Sequence, residues 1–134
     1  MRLVVFLGLI GLLFITLAGW HYSATARAPE TVTASPFVLE RVKNNDWLLI
    51  DVRSPQEFAE GHIPGAINMP HEQITDYLSE LAAWQDKPVI VYCRSGRRAS
   101  MAMQVLEQYN FSALRGLEGD MLGWNEANLP VTRM

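Results

Sequence analysis

The sequence predicts a three-layer α/β/α domain, a mainly parallel sheet of four or five strands with helices on both faces. Two observations predict it. Short apolar runs of strand length alternate with segments of helical spacing along residues 37–134. Two of those runs, WLLIDV (47–52) and PVIVYC (88–93), are mostly continuous rather than alternating, as expected of strands covered on both faces.

Taken in order, FVLERVKN (37–44) carries apolar residues at helical spacing and WLLIDV (47–52) is the first strand. SPQE (54–57) opens a short helix, with Ser54 as N-cap, Pro55 in the first helical position and Glu57 closing a capping box. GHIPG (61–65) breaks it, and AINMP (66–70) is a second strand that Pro70 ends. EQITDYLSELAAW (72–84) sets Ile74, Leu78 and Leu81 on one helical stripe. PVIVYC (88–93) is the clearest strand, followed by the helix formers of ASMAMQVLEQY (99–109). SALRGL (112–117) is the last strand, and Asp120 is placed to cap a helix running to about Asn128.

The segment ahead of this domain has a different character. Residues 3–19, LVVFLGLIGLLFITLAG, carry no charge, which predicts a signal peptide or an N-terminal membrane anchor over residues 1–26. Ala24-Thr25-Ala26 offers a cleavage pattern, whereas Trp20 and Tyr22 suit a retained anchor at a membrane interface. Either outcome puts the domain outside the cytoplasm, in the periplasm or tethered to the inner membrane. RAPETVTASP (27–36) is polar and bracketed by prolines, which predicts a linker. After Ala26, ten Lys and Arg residues face fourteen Asp and Glu, and a chain this acidic is not a nucleic-acid binder.

Within that acidic chain, the only cysteine opens CRSGRR (93–98), a loop with three arginines. One cysteine forms no internal disulfide, and a lone thiol in an oxidising compartment calls for a use. In open α/β sheets ligands bind at the carboxyl ends of strands, which is where Cys93 stands. Gly96 lets the backbone turn tightly, so that successive N–H groups of Arg94, Ser95, Gly96, Arg97 and Arg98 converge beside the positive end of the next helix. Such a nest favours a thiolate and cradles a small anion, with arginine charge at the rim. A nucleophilic thiolate is the chemical consequence.

These residues carry a family resemblance. CRSGRR resembles the six-residue active-site loop of the rhodanese sulfurtransferases, C-R-x-G-x-R. DVRSPQEFAEGHIPGAINMP (51–70) resembles that family's upstream signature, and LEGDMLGW (117–124) its closing L-x-G-G-x-x-x-W segment. The three come in family order, and the similarity covers about residues 36–131. A single rhodanese domain behind an export segment resembles the periplasmic sulfurtransferases of bacteria. The resemblance implies that Cys93 takes the outer sulfur of thiosulfate as a persulfide and hands it to cyanide or a thiol. It implies no metal and no organic cofactor. It also implies that Asp51, with Arg53 beside it, supports the active-site region through polar contacts.

One departure stands out: Asp120 occupies the place of the family's second glycine. Asp tolerates left-handed backbone, but its carboxylate would weaken anion binding if it pointed inward. A phosphatase of the same fold would use a longer H-C-x5-R loop, whereas here Tyr92 precedes the cysteine and the arginine falls five positions after it. A persulfide carrier or a protein-binding module on this scaffold is the alternative from another class. His62 is expected as a hydrogen-bonded turn residue, and His21 and His71 show no metal-ligand spacing. Trp84, Trp124, Met101 and Met103 are expected to pack the core.

Overall fold

The computed structural model describes residues 30–134. The signal or anchor expected over residues 1–26, with the first part of the linker, lies outside the described residues. No helix among the described residues is long and apolar enough to cross a membrane.

Five strands, β1 (Thr31–Val32), β2 (Leu48–Asp51), β3 (Ile67–Asn68), β4 (Val89–Tyr92) and β5 (Leu114–Leu117), form one sheet in the order β1-β5-β4-β2-β3. Every pairing is parallel. β4 is central, with Asp51 of β2 opposite Tyr92. All four residues of β2 and of β4 are buried, because helices cover both faces. The core therefore divides in two. Leu48, Ile50, Val89 and Val91 pack on one face with Ala99, Ala102, Met103 and Leu106, while Leu49, Ile90 and Tyr92 pack on the other with Val38, Met121 and Trp124.

β1 corrects the linker expectation, since Thr31 and Val32 fall within residues 27–36 yet belong to the sheet. The N–H of Gly116 donates to Glu30 O at 2.8 Å and that of Glu118 to Val32 O at 2.9 Å. The segment thus satisfies backbone groups that β5 would otherwise leave at a bare edge. Pro36 follows the strand and occupies none of its paired positions.

Five α-helices lie between or after the strands: α1 (Pro36–Lys43), α2 (Pro55–Glu60), α3 (Leu78–Leu81), α4 (Arg97–Glu107) and α5 (Asp120–Glu126). The helix expected over 72–84 is instead a 3₁₀ segment His71–Tyr77, the short α3 and a second 3₁₀ turn Ala82–Trp84. Ile74, Tyr77, Leu78, Leu81 and Trp84 of this segment pack on the core. α2 starts as its sequence directs: Ser54 Oγ accepts from Glu57 N–H at 3.2 Å, and Glu57 Oε1 accepts from Ser54 N–H at 3.3 Å. α4 begins at Arg97, two residues earlier than expected, so the Cys93 loop between β4 and α4 is short.

Candidate active site

Cys93 follows β4 directly and is 1 % exposed. Its Sγ accepts a hydrogen bond from the Gly96 N–H at 3.0 Å, and among the described residues this is the backbone donor that reaches the sulfur. Gly96 has φ +111°, a left-handed conformation that glycine adopts without strain and that folds the N–H back toward the cysteine. From Gly96 the chain runs straight into α4, whose first turn brings Arg97 and Arg98. The start of α5 braces the loop from the other side. Met121 N–H donates to Cys93 O at 3.0 Å and Leu122 N–H to Arg94 O at 3.2 Å.

In front of Cys93 lies an open cleft of about 560 Å³. Arg94, Ser95, Arg97 and Arg98 of the loop line it, with His71 and Glu72 on the facing 3₁₀ segment and Met101 at the rim. Arg94, Ser95 and Arg97 are exposed, and neither arginine forms an ion pair among the described residues. Both are therefore available to an incoming anion. Met101, expected in the core, is 46 % exposed, whereas Met103 is buried. The buried stripe of α4 is Ala99, Ala102, Met103 and Leu106, and position 101 falls off it.

Arg98 is differently employed. Its Nη1 and Nη2 donate to Glu57 Oε1 and Oε2 at 2.6 and 3.0 Å, a two-pronged pair joining the loop helix to α2. That pair holds the Glu57 carboxyl down at about 2, against the opposing effect of burial, and raises Arg98 above its ordinary value. Sequence reading gave Glu57 its capping role and missed this second one. Glu57 makes no hydrogen bond to Arg53.

Asp51 and Arg53 meet each other instead. Arg53 Nη2 lies 2.7 Å from Asp51 Oδ2, Arg53 Nε also donates to the carboxylate, and Nη2 donates to Gly61 O at 2.7 Å. Both are buried at the end of the strand beside β4, and no hydrogen bond joins either to the Cys93 loop. Tyr92 is also buried; its hydroxyl accepts from Ile63 N–H at 3.1 Å, and burial pushes its phenol strongly up. His62 is hydrogen-bonded as expected, with Nδ1 2.7 Å from Phe58 O and its ring stacked on Phe58, but its backbone pairs with Thr132 in an antiparallel bridge and does not form a turn. Trp124 is fully buried and its indole N–H donates to Pro130 O at 2.8 Å.

Asp120 does not cap α5 as the sequence suggested. Gly119 takes the N-cap position, and Asp120 itself has φ +52°. Its Oδ1 accepts from the Cys93 N–H at 3.0 Å, so the carboxylate sits behind the loop and not at the cleft mouth.

A nucleophilic sulfur held by a glycine N–H, at the end of the central strand and under free arginines, can attack a small anion and keep the transferred atom. Comparison with known proteins agrees with this geometry. Residues 37–127 match the rhodanese-like domain family. A sulfurtransferase of Allochromatium vinosum is 37 % identical over 86 residues, 64 % of this chain and 78 % of that one. The thiosulfate sulfurtransferase GlpE of Shewanella oneidensis is 32 % identical over 80 residues, 60 % of this chain and 77 % of that one. The crystal structure of a rhodanese-related protein from Thermoplasma volcanium superposes with a TM-score of 0.66 at 28 % identity, covering 78 % of this chain and 99 % of that one. The chain belongs to the rhodanese-like domain family.

Proposed function

We propose that the protein is a thiosulfate sulfurtransferase. The observation that carries the reading is the Gly96 N–H donating to Cys93 Sγ at 3.0 Å at the floor of a cleft rimmed by Arg94 and Arg97. The Cys93 thiolate attacks the outer sulfur of thiosulfate, the S–S bond of the donor breaks, and sulfite leaves with the bonding pair. A persulfide anion remains on Cys93, stabilised by backbone N–H groups and the arginines. Cyanide or a thiolate then attacks the outer sulfur, and Cys93 leaves as the thiolate. Charge balances in both steps, so no proton donor is required. The relatives named sulfurtransferase and thiosulfate sulfurtransferase support this class of donor.

The phosphatase alternative is disfavoured by Arg98, whose two Nη groups are both held by Glu57. The test is thiocyanate formation from thiosulfate and cyanide by the full chain, with Cys93→Ala as control. Turnover that disappears in the control supports the proposal. A folded, reduced protein that forms no thiocyanate would overturn it and leave a carrier or binding module.

A further inference from the structure

Asp120 is a buried carboxylate that the sulfur-transfer chemistry leaves unused. It is 9 % exposed, it has no ion-pair partner among the described residues, and its left-handed backbone is one that a glycine would adopt more easily. Its two oxygens reach both ends of the Cys93 loop. Oδ1 holds the Cys93 N–H at 3.0 Å, and Oδ2 lies 3.1 Å from the point where a Cβ on Gly96 would stand. Around it behind the loop are Val91, Ala99, Met103 and Leu117, all uncharged.

The charges that face Cys93 are unevenly placed. Arg94 and Arg97 of the loop lie on the cleft side, with His71 and Glu72 of the 3₁₀ segment opposite them. Arg98 is tied to Glu57 of α2, and Asp51 of β2 is tied to Arg53. Behind the sulfur, from α5, comes the carboxylate of Asp120. Negative charge on Sγ is therefore opposed from behind. Charge on an outer sulfur, one bond further toward the cleft, is opposed less and meets the arginines.

We propose that Asp120 is a positioning residue that holds the Cys93 N–H and opposes negative charge on Cys93 Sγ, so that the persulfide form is favoured over the bare thiolate. The inference rests on the sulfur-transfer reading above. In the exchange, thiolate and thiosulfate give persulfide anion and sulfite, and total charge is unchanged while the charge on the protein moves outward from Asp120. The acidic limit follows from burial, which raises the Asp120 carboxyl above its ordinary value against the lowering effect of its hydrogen bonds to Cys93. As pH falls, Asp120 takes up its proton earlier than an exposed aspartate, and the bias toward the persulfide fades.

Asp120→Asn separates charge from geometry, because asparagine accepts left-handed backbone and can keep an oxygen on the Cys93 N–H. Two measurements are made. The first is the ultraviolet titration of the Cys93 thiolate, which needs no sulfur donor. The second is the fraction of persulfide at fixed thiosulfate-to-sulfite ratios, at a pH where the thiol is fully ionised in both proteins. In the variant, the thiolate is expected to form at lower pH than in the wild type, and the loading equilibrium to shift about threefold toward the bare thiolate, less than the full effect on Sγ because Asp120 also opposes charge on the outer sulfur. Asp120→Gly, which also suits the backbone angle, should move both in the same direction and serves if the asparagine variant fails to fold. Unchanged titrations in the variants would overturn the inference and make Asp120 a brace alone. If the wild-type chain takes no sulfur from thiosulfate, the function proposed above fails, while the thiolate titration still decides whether the Asp120 charge acts on Cys93.

Discussion

Two arginine–carboxylate pairs flank the Cys93 loop, and they differ in what surrounds them and in what they join. Asp51 and Arg53 are two residues apart, with side chains 0 % and 7 % exposed. Glu57 and Arg98 are 41 residues apart and about 30 % exposed. The first pair closes the end of β2 and, through Gly61 O, the end of α2. The second ties α4, and with it the sulfur loop, to the start of α2. Burial makes the first pair costly to break, because a charge left behind has no water. Sequence separation makes the second pair the one that restrains the site.

Removing one partner of the buried pair should give the largest loss of stability. Arg53→Ala leaves the Asp51 carboxylate buried with little beyond the backbone N–H of residue 53, and breaking a buried pair costs about 3–5 kcal/mol. Urea unfolding would read this, and a loss below about 1 kcal/mol would show that water reaches Asp51 after all. Sulfur transfer per folded molecule should fall only a few-fold, since neither residue is hydrogen-bonded to the loop.

The exposed pair should behave the other way round. Glu57→Gln removes the charge facing Arg98 and weakens the capping box, with an expected stability loss of about 1–2 kcal/mol. Its effect on transfer should be larger, at least tenfold, because α4 loses its anchor and the loop N–H groups lose their aim. A variant that unfolds more easily yet transfers sulfur at the wild-type rate would contradict the anchoring role. The pH dependence has a definite sign. Glu57 titrates at about 2 in the folded protein against 4.5 ordinarily, so its contribution is fully present above 4.5 and is lost as pH falls toward 2. Allowing for solvent screening, that contribution is about 1 kcal/mol. The Glu57→Gln variant should lose less stability than wild type across this window.

How far each pair could be read in the sequence follows from the same contrast. Strands β2 and β4, the capping box of α2 and the position of Cys93 are local features, written in runs of four to six residues, and the sequence predicts them. The grip of Glu57 on Arg98 joins two separately recognisable motifs, and nothing in either names the other as partner. β1 was illegible for a related reason: Thr31 and Val32 have no pattern of their own, and only the free edge of β5 makes them a strand. Asp120 was noticed as a departure, but its carboxylate turns to the Cys93 N–H because Gly119 and Asp120 both take left-handed backbone, which places the helix start behind the loop. Met101 is the exception, since the stripe 99, 102, 103, 106 could have been read from spacing alone.

Arg98→Lys gives the smallest expected effect and sharpens the comparison most. Lysine keeps the positive charge but offers a single ammonium where arginine presents two Nη donors to the two Glu57 oxygens. If charge anchors the loop, the ammonium still holds one oxygen, stability drops by less than about 1 kcal/mol and transfer stays within about threefold of wild type. If the forked geometry anchors it, the lysine variant should lose as much transfer as Arg98→Ala, about tenfold or more, with stability still nearly unchanged. The first result assigns the exposed pair a purely electrostatic part in holding α4. The second means that a half-exposed pair can fix the aim of a sulfur cradle without contributing much to folding, because orientation of the loop and stability of the fold are set by different bonds.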